Sequence, residues 1–138
     1  MLDFIETIKD NKSNQPVIKI DEEKASSILS SIKKIEKEEL FKLQDYSLNM
    51  LSKKIGVNST YVSKIINKYW GKTFIEYTNE LRIKYILLKL EEDSIYRKFT
   101  LKAIAESIGY KSLNSFNKHF KQITGITPKQ YVNHKFKK

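Results

Sequence analysis

Apolar residues recur at helical spacing along most of the chain. Between Asp21 and about Leu43, Ala25, Ile28, Leu29, Ile32, Ile35 and Leu40 recur mostly at spacings of three and four, which predicts one amphipathic helix over 21–43. Asp21 is a suitable N-cap, with Glu22 and Glu23 where the helix dipole favours negative charge. Lys33, Lys34, Lys37 and Glu38 take the opposite face. The stripe spans only a few turns, which favours packing on the chain's own core over a free connector or dimer stalk.

Ser47 then caps a helix to Ile55 with Leu48, Leu51 and Ile55 inward. Gly56 turns the chain. Asn58 or Ser59 caps a second helix to about Tyr69, with Val62, Ile65 and Ile66 inward, and Gly71 stops it. Thr73 and Glu76 match a capping box that opens a long helix, Phe74 to about Glu91. Its expected buried positions are Phe74, Tyr77, Leu81, Tyr85, Ile86 and Leu88. After a polar connection, Thr100 caps a helix to Ile108 and Gly109 turns the chain. Ser112 caps Leu113 to Ile123, with Phe116, Phe120 and Ile123 inward; Gly125 stops it. Thr127-Pro128 opens a last helix anchored by Tyr131 and Phe136.

The pattern is duplicated. Leu48, Leu51, Ile55 and Gly56 match Leu101, Ile104, Ile108 and Gly109 at a shift of 53 residues. At a shift of 54, Val62, Ile66, Gly71, Thr73 and Tyr77 match Phe116, Phe120, Gly125, Thr127 and Tyr131. Two copies are too few for a solenoid and read as a repeated helix-turn-helix. The expected fold is therefore all-α: two homeodomain-like helix-turn-helix units joined by a long linker helix, preceded by an extra N-terminal helix. The expected divisions are 1–20, a linker or flexible segment around Asn11 to Pro16; 21–45, a connector helix; 46–92, the first unit with the linker helix; and 93–138, the second unit. A linker helix of about 27 Å approaches the roughly 34 Å that separates successive major-groove faces on one side of a duplex.

Composition narrows the partner. Residues 1–46 carry 8 lysines against 10 acidic residues, a net −2; the remainder carries 18 Lys or Arg against 6 acidic residues, a net +12. All of the basic excess lies in the duplicated part, which points to nucleic acid or an anionic surface. With no cysteine there is neither a disulfide scaffold nor a thiolate metal site, and His119 and His134 are the only imidazoles. No His–carboxylate cluster, glycine-rich phosphate loop or metal-ligand spacing marks an enzyme, so no cofactor, metal or small-molecule site is expected in this part. No leader or membrane span is legible, so a cytoplasmic protein is the default.

Each second helix turns polar residues outward, at i, i+3, i+4 and i+7 in the first copy and at i, i+1, i+3 and i+4 in the second. The first copy offers Thr60, Ser63, Lys64 and Asn67, and the second Asn114, Ser115, Asn117 and Lys118. Asparagine can pair with adenine, lysine can donate to guanine, and hydroxyls can do either. Hydroxyls at helix starts and nearby lysines suit phosphate: Lys53, Ser59, Lys68, Lys72 and Thr73 in the first copy, and Lys111, Ser112, Lys121, Thr127 and Lys129 in the second. Any soluble helix shows a polar face; the repetition on one core skeleton argues for more. A membrane-surface domain explains the charge but not the duplication. A helical protein–protein module with a basic surface explains the fold but not the charge concentration, and it is the alternative.

Three runs carry a family resemblance: Ile104-Ala105 to Gly109-Tyr110, Ser115-Phe116 to Phe120-Lys121, and Gly125-Ile126-Thr127-Pro128 with Tyr131. Leu81-Arg82 and Gly71-Lys72-Thr73-Phe74 belong with them. From about Ser47 to Tyr131 the chain resembles the DNA-binding domain of the AraC/XylS family of bacterial transcription regulators. The resemblance implies seven helices and insertion of both second helices into adjacent major grooves of double-stranded DNA. It places Thr60, Ser63 and Lys64 at base-reading positions of the first unit, and Leu113, Asn114, Asn117 and Lys118 near those of the second. Val132, Tyr110, Ile86 and Lys64 depart from the residues common in the family at those positions. The resemblance also implies a C-terminal piece of a larger sensor-regulator, whose sensor part in some members is membrane-attached. RNA polymerase and self-association through the upstream region are its candidate protein partners.

Overall fold

The computed structural model describes residues 21–136, and the expected N-terminal linker at 1–20 lies outside the described residues. Among the described residues there are seven α-helices and no strand: α1 Glu22–Glu36, α2 Leu48–Ile55, α3 Ser59–Trp70, α4 Phe74–Glu92, α5 Leu101–Ser107, α6 Leu113–Thr124 and α7 Pro128–Phe136. Short 3₁₀ turns lie at Leu40–Lys42 and Tyr96–Lys98. The chain forms two compact units, one of residues 21–38 and 47–74 and the other of 39–46 and 75–136.

In the first unit α1 packs on α2 and α3. Its stripe of Ala25, Ile28, Ile32 and Ile35 is buried, as are Leu51, Val62, Ile65 and Ile66. The Asp21 carboxylate accepts from the N–H groups of Glu23 and Lys24. Asp21 itself donates its N–H to Tyr61 Oη at 3.3 Å, and Lys24 Nζ lies 5.2 Å from the Tyr61 ring. Lys33 Nζ lies 5.1 Å from the Trp70 ring, and Lys54 pairs with Glu38 at 2.8 Å. α1 is thus an integral wall of the first head.

The helix expected over 21–43 ends at Glu36. Glu39 takes a left-handed conformation with φ 58°, and a 3₁₀ turn follows. Arg82 Nε donates to the Phe41 carbonyl at 2.6 Å and Arg82 Nη2 to the Leu43 carbonyl at 2.8 Å, which holds residues 39–46 against α4 in place of a continued helix. Phe41 is buried edge-on against Tyr85, with ring centroids 5.9 Å apart.

The second unit is built around α4. Its buried set is Tyr77, Thr78, Asn79, Arg82, Ile83, Ile86 and Leu90. Leu88, expected inward, is 57% exposed, while Phe74, Leu81 and Tyr85 are only half-buried. The buried set shares Tyr77 and Ile86 with the expected one and adds Thr78, Asn79 and Arg82, polar residues that the apolar pattern did not mark. Ile83, Ile86 and Leu90 pack with Ile104, Ile108, Phe116 and Phe120 into one core, and Tyr131 and Phe136 of α7 close over it. Ile123, also expected inward, is 40% exposed, two residues short of the Gly125 stop.

Candidate nucleic-acid interface

The two heads are built by the same local chemistry. Ser47 Oγ accepts from the N–H of Met50 at 3.2 Å, and Thr100 Oγ1 accepts from Ala103 at 3.0 Å, so α2 and α5 start at equivalent caps. The Asn58 carboxamide caps α3 by accepting from Thr60 at 2.8 Å, and Ser112 Oγ caps α6 by accepting from Ser115 at 3.1 Å. Of the two cap candidates for α3, Asn58 holds the position and Ser59 is the first helical residue. Gly71 and Gly125 stop the second helices in left-handed conformations at φ 66° and 90°.

These starts and stops fix which face of each second helix is buried. Val62, Ile65 and Ile66 point inward from α3, and Phe116 and Phe120 from α6. On α3, Thr60 and Asn67 are exposed, and Ser63 and Lys64 are half-buried. On α6, Asn114 and Lys118 are exposed, and Leu113, Ser115 and Asn117 are half-buried. Among the phosphate candidates, Lys53, Lys111, Lys121 and Lys129 are exposed, as are Thr73 and Ser112; Ser59, Lys68, Lys72 and Thr127 are half-buried. Lys68 Nζ lies 6.0 Å from the Tyr69 ring. The Ser112 hydroxyl accepts its capping bond and keeps its own proton for an outside acceptor. Lys53 and Ser59 border an open cavity of about 320 Å³ at the first turn, with Asn49, Ser52, Gly56 and Val57.

Thr127 is more heavily engaged than its position in the sequence implied. Its Oγ1 accepts from the N–H of Gln130 at 3.1 Å, while Gln130 Oε1 accepts the Thr127 N–H at 2.9 Å. This is a reciprocal capping box whose second member, Gln130, lay in plain sight three residues on.

No acidic residue occurs between Ser47 and Ile75, or between Ser107 and Lys138. Each head is therefore free of carboxylates along its own turn and second helix, while Lys53, Lys64, Lys68, Lys111, Lys118 and Lys121 remain there. Among the described residues no three potential metal ligands come together, and no helix is long and apolar enough to cross a membrane.

The sequence reading missed the support behind α6. His119 stacks on Tyr110, and burial holds its pKa below the ordinary value. Tyr110 donates its hydroxyl to the Asn79 carboxamide oxygen at 2.8 Å, and burial pushes its pKa up to about 12. These partners lie far apart in sequence, so no local signal announced them.

Family comparison agrees with this geometry. The model of a helix-turn-helix domain family matches residues 51–134. The chain belongs to the AraC-type helix-turn-helix family. The AraC-type domain is 35% identical over 88 residues to an uncharacterized HTH-type transcriptional regulator, SACOL0084, of Staphylococcus aureus strain COL. That match takes in 64% of this chain and only 11% of the relative's length. The C-terminal domain of the two-component response regulator yesN from Fusobacterium nucleatum is similar in structure, with a TM-score of 0.64 and 30% identity over 76% of this chain and 97% of that one. The DNA-binding domain of AdpA, solved in complex with a target DNA, shares the fold at a TM-score of 0.63 and 13% identity, over 79% of this chain and 95% of that one.

Proposed function

We propose that this AraC-type domain reads double-stranded DNA by sequence, with α3 and α6 entering adjacent major grooves, as the effector part of a transcription regulator acting in the cytoplasm. One observation carries the reading. Two capped heads, each free of carboxylates along its turn and second helix, each turn a lysine and an asparagine outward from that helix, where base edges are read. In this reading Thr60, Ser63, Lys64 and Asn67 serve the first half-site, and Leu113, Asn114, Asn117 and Lys118 the second. Leu113 offers apolar contact to a thymine methyl. The exposed lysines and helix-start hydroxyls hold phosphates and set the register. The AdpA domain, of the same fold, was solved on its target DNA. Contacts with RNA polymerase and self-association belong to a longer regulator, since the match takes in only 11% of the curated relative's length.

Selection of bound duplexes from a random pool tests the proposal. The expected result is enrichment of two short motifs about 10–10.5 base pairs apart, centre to centre. A pool that stays random, with binding indifferent to salt, would instead favour the protein–protein module.

A further inference from the structure

Arg82 is a buried cation, 8% exposed, with no acid paired to it among the described residues. A buried charge without a counter-charge is costly and is retained only where its hydrogen bonds are well made. Its partners are two carbonyls and a ring. Nε donates to the Phe41 carbonyl and Nη2 to the Leu43 carbonyl, while the guanidinium carbon lies 5.2 Å from the centroid of the Tyr110 ring. Three segments meet there: α4, the strap 39–46, and the turn between α5 and α6. The junction is tight at Gly109. A Cβ on that residue would stand 2.7 Å from Arg82 Nη2 and 2.9 Å from the carbonyl oxygens of Leu43 and Lys42.

Tyr110 transmits this junction to the second reading helix. Its hydroxyl is fixed by Asn79, one turn before Arg82 on α4. Its ring meets Phe116 and His119 of α6, at centroid separations of 5.6 and 5.9 Å. The strap is held from its other side too, where Lys42 Nζ donates to Tyr85 Oη at 3.1 Å. The strap lies in sequence between α1 and α2 of the first unit yet belongs to the second.

We infer that Arg82 is a positioning residue for α6. By clamping the strap 39–46 and Tyr110 together, it sets the angle at which Asn114, Asn117 and Lys118 meet the bases. Residues outside the second repeat thereby take part in reading the second half-site. The inference rests on the DNA-reading proposal above and deepens it.

The test uses the full chain and the duplex it selects, with single base-pair changes introduced in each half-site. Lys118→Ala identifies the half-site read by α6. Arg82→Lys keeps the charge but loses the planar fork that spans two carbonyls. The expected result is a loss of about tenfold in base discrimination confined to the α6 half-site, with random-duplex affinity and salt slope unchanged. Simple destabilisation lowers the folded fraction and weakens every duplex alike, so it cannot produce a loss in one half-site alone. Tyr110→Phe, which keeps the ring and loses only the bond to Asn79, serves if Arg82→Lys does not fold. It is expected to loosen the same half-site by a few-fold. Equal losses in both half-sites, or unchanged discrimination in the folded variants, would overturn the inference. A wild-type chain without any sequence preference would overturn the DNA-reading proposal itself, and this inference with it.

Discussion

The imidazole of His119 lies nearly parallel to the ring of Tyr110, with centroids 5.9 Å apart and planes 19° apart. A titratable ring of α6 is thus packed on the turn that precedes it. Burial is the main cause that lowers the His119 pKa from its ordinary 6.5; a hydrogen bond with Gln122 opposes this, and the charges of Lys118 and Arg82 add to it. The folded state therefore prefers the neutral ring, and the unfolded chain takes up the proton first. The resulting contribution to stability is complete above the unfolded value and is lost as pH falls through the folded one. His119→Phe keeps a ring in the stack and removes the titration. Its melting temperature should fall less on acidification below about pH 6.5 than that of the wild type. Parallel acid limbs in the two melting series would contradict the assignment.

Base readers and phosphate holders should separate on mutation. Lys118→Ala should cost about 1–3 kcal/mol on the selected duplex and relax preference at one base position. Lys129→Ala should weaken all duplexes to a similar degree and reduce the log–log salt slope by about 0.9. Titrations of both variants on selected and random duplexes decide this. Identical behaviour of the two would show that the roles are misassigned.

The two turn glycines should differ sharply. A Cβ on Gly56 meets nothing within 4 Å, so Gly56→Ala carries mainly the cost of a left-handed backbone at φ 79°, about 1–2 kcal/mol. At Gly109 the same strain at φ 94° is joined by three contacts under 3 Å, two of them to backbone oxygens that cannot easily move. Denaturant unfolding should find Gly109→Ala the more destabilised of the two. Equal losses would mean that the strap yields freely.

Phe116 is fully buried and touches the rings of both Tyr110 and Phe120. Phe116→Ala should cost about 3–5 kcal/mol through the cavity it leaves. A loss below about 1 kcal/mol in denaturant unfolding would place the ring outside the core.

What was legible in the sequence was what chemistry decides locally. Asp21, Ser47, Thr100 and Ser112 cap helices because a short oxygen-bearing side chain can reach an N–H two or three residues on. The glycine stops at Gly71 and Gly125 need only a backbone free to turn left-handed. Duplication exposed the two heads because their apolar skeletons had to bury the same faces. Two of the misreadings involve partners remote in sequence. Past Glu36 the chain becomes a strap whose Phe41 and Leu43 carbonyls accept from Arg82, some 40 residues away. The buried set of α4 was only partly legible because Asn79 and Arg82 are polar residues made welcome by Tyr110 and the strap. Of the interface, the outward polar sets were legible from spacing alone; the Arg82–Tyr110–His119 stack behind the second one was not.

Missing-base interference on the selected duplex tests the central claim most directly, since it reports base contacts whatever the sequence. Two clusters of bases whose removal weakens binding are expected, centred about 10–10.5 base pairs apart, with Lys118→Ala silencing part of one cluster only. A single cluster, or no base whose removal matters, would contradict reading by two heads.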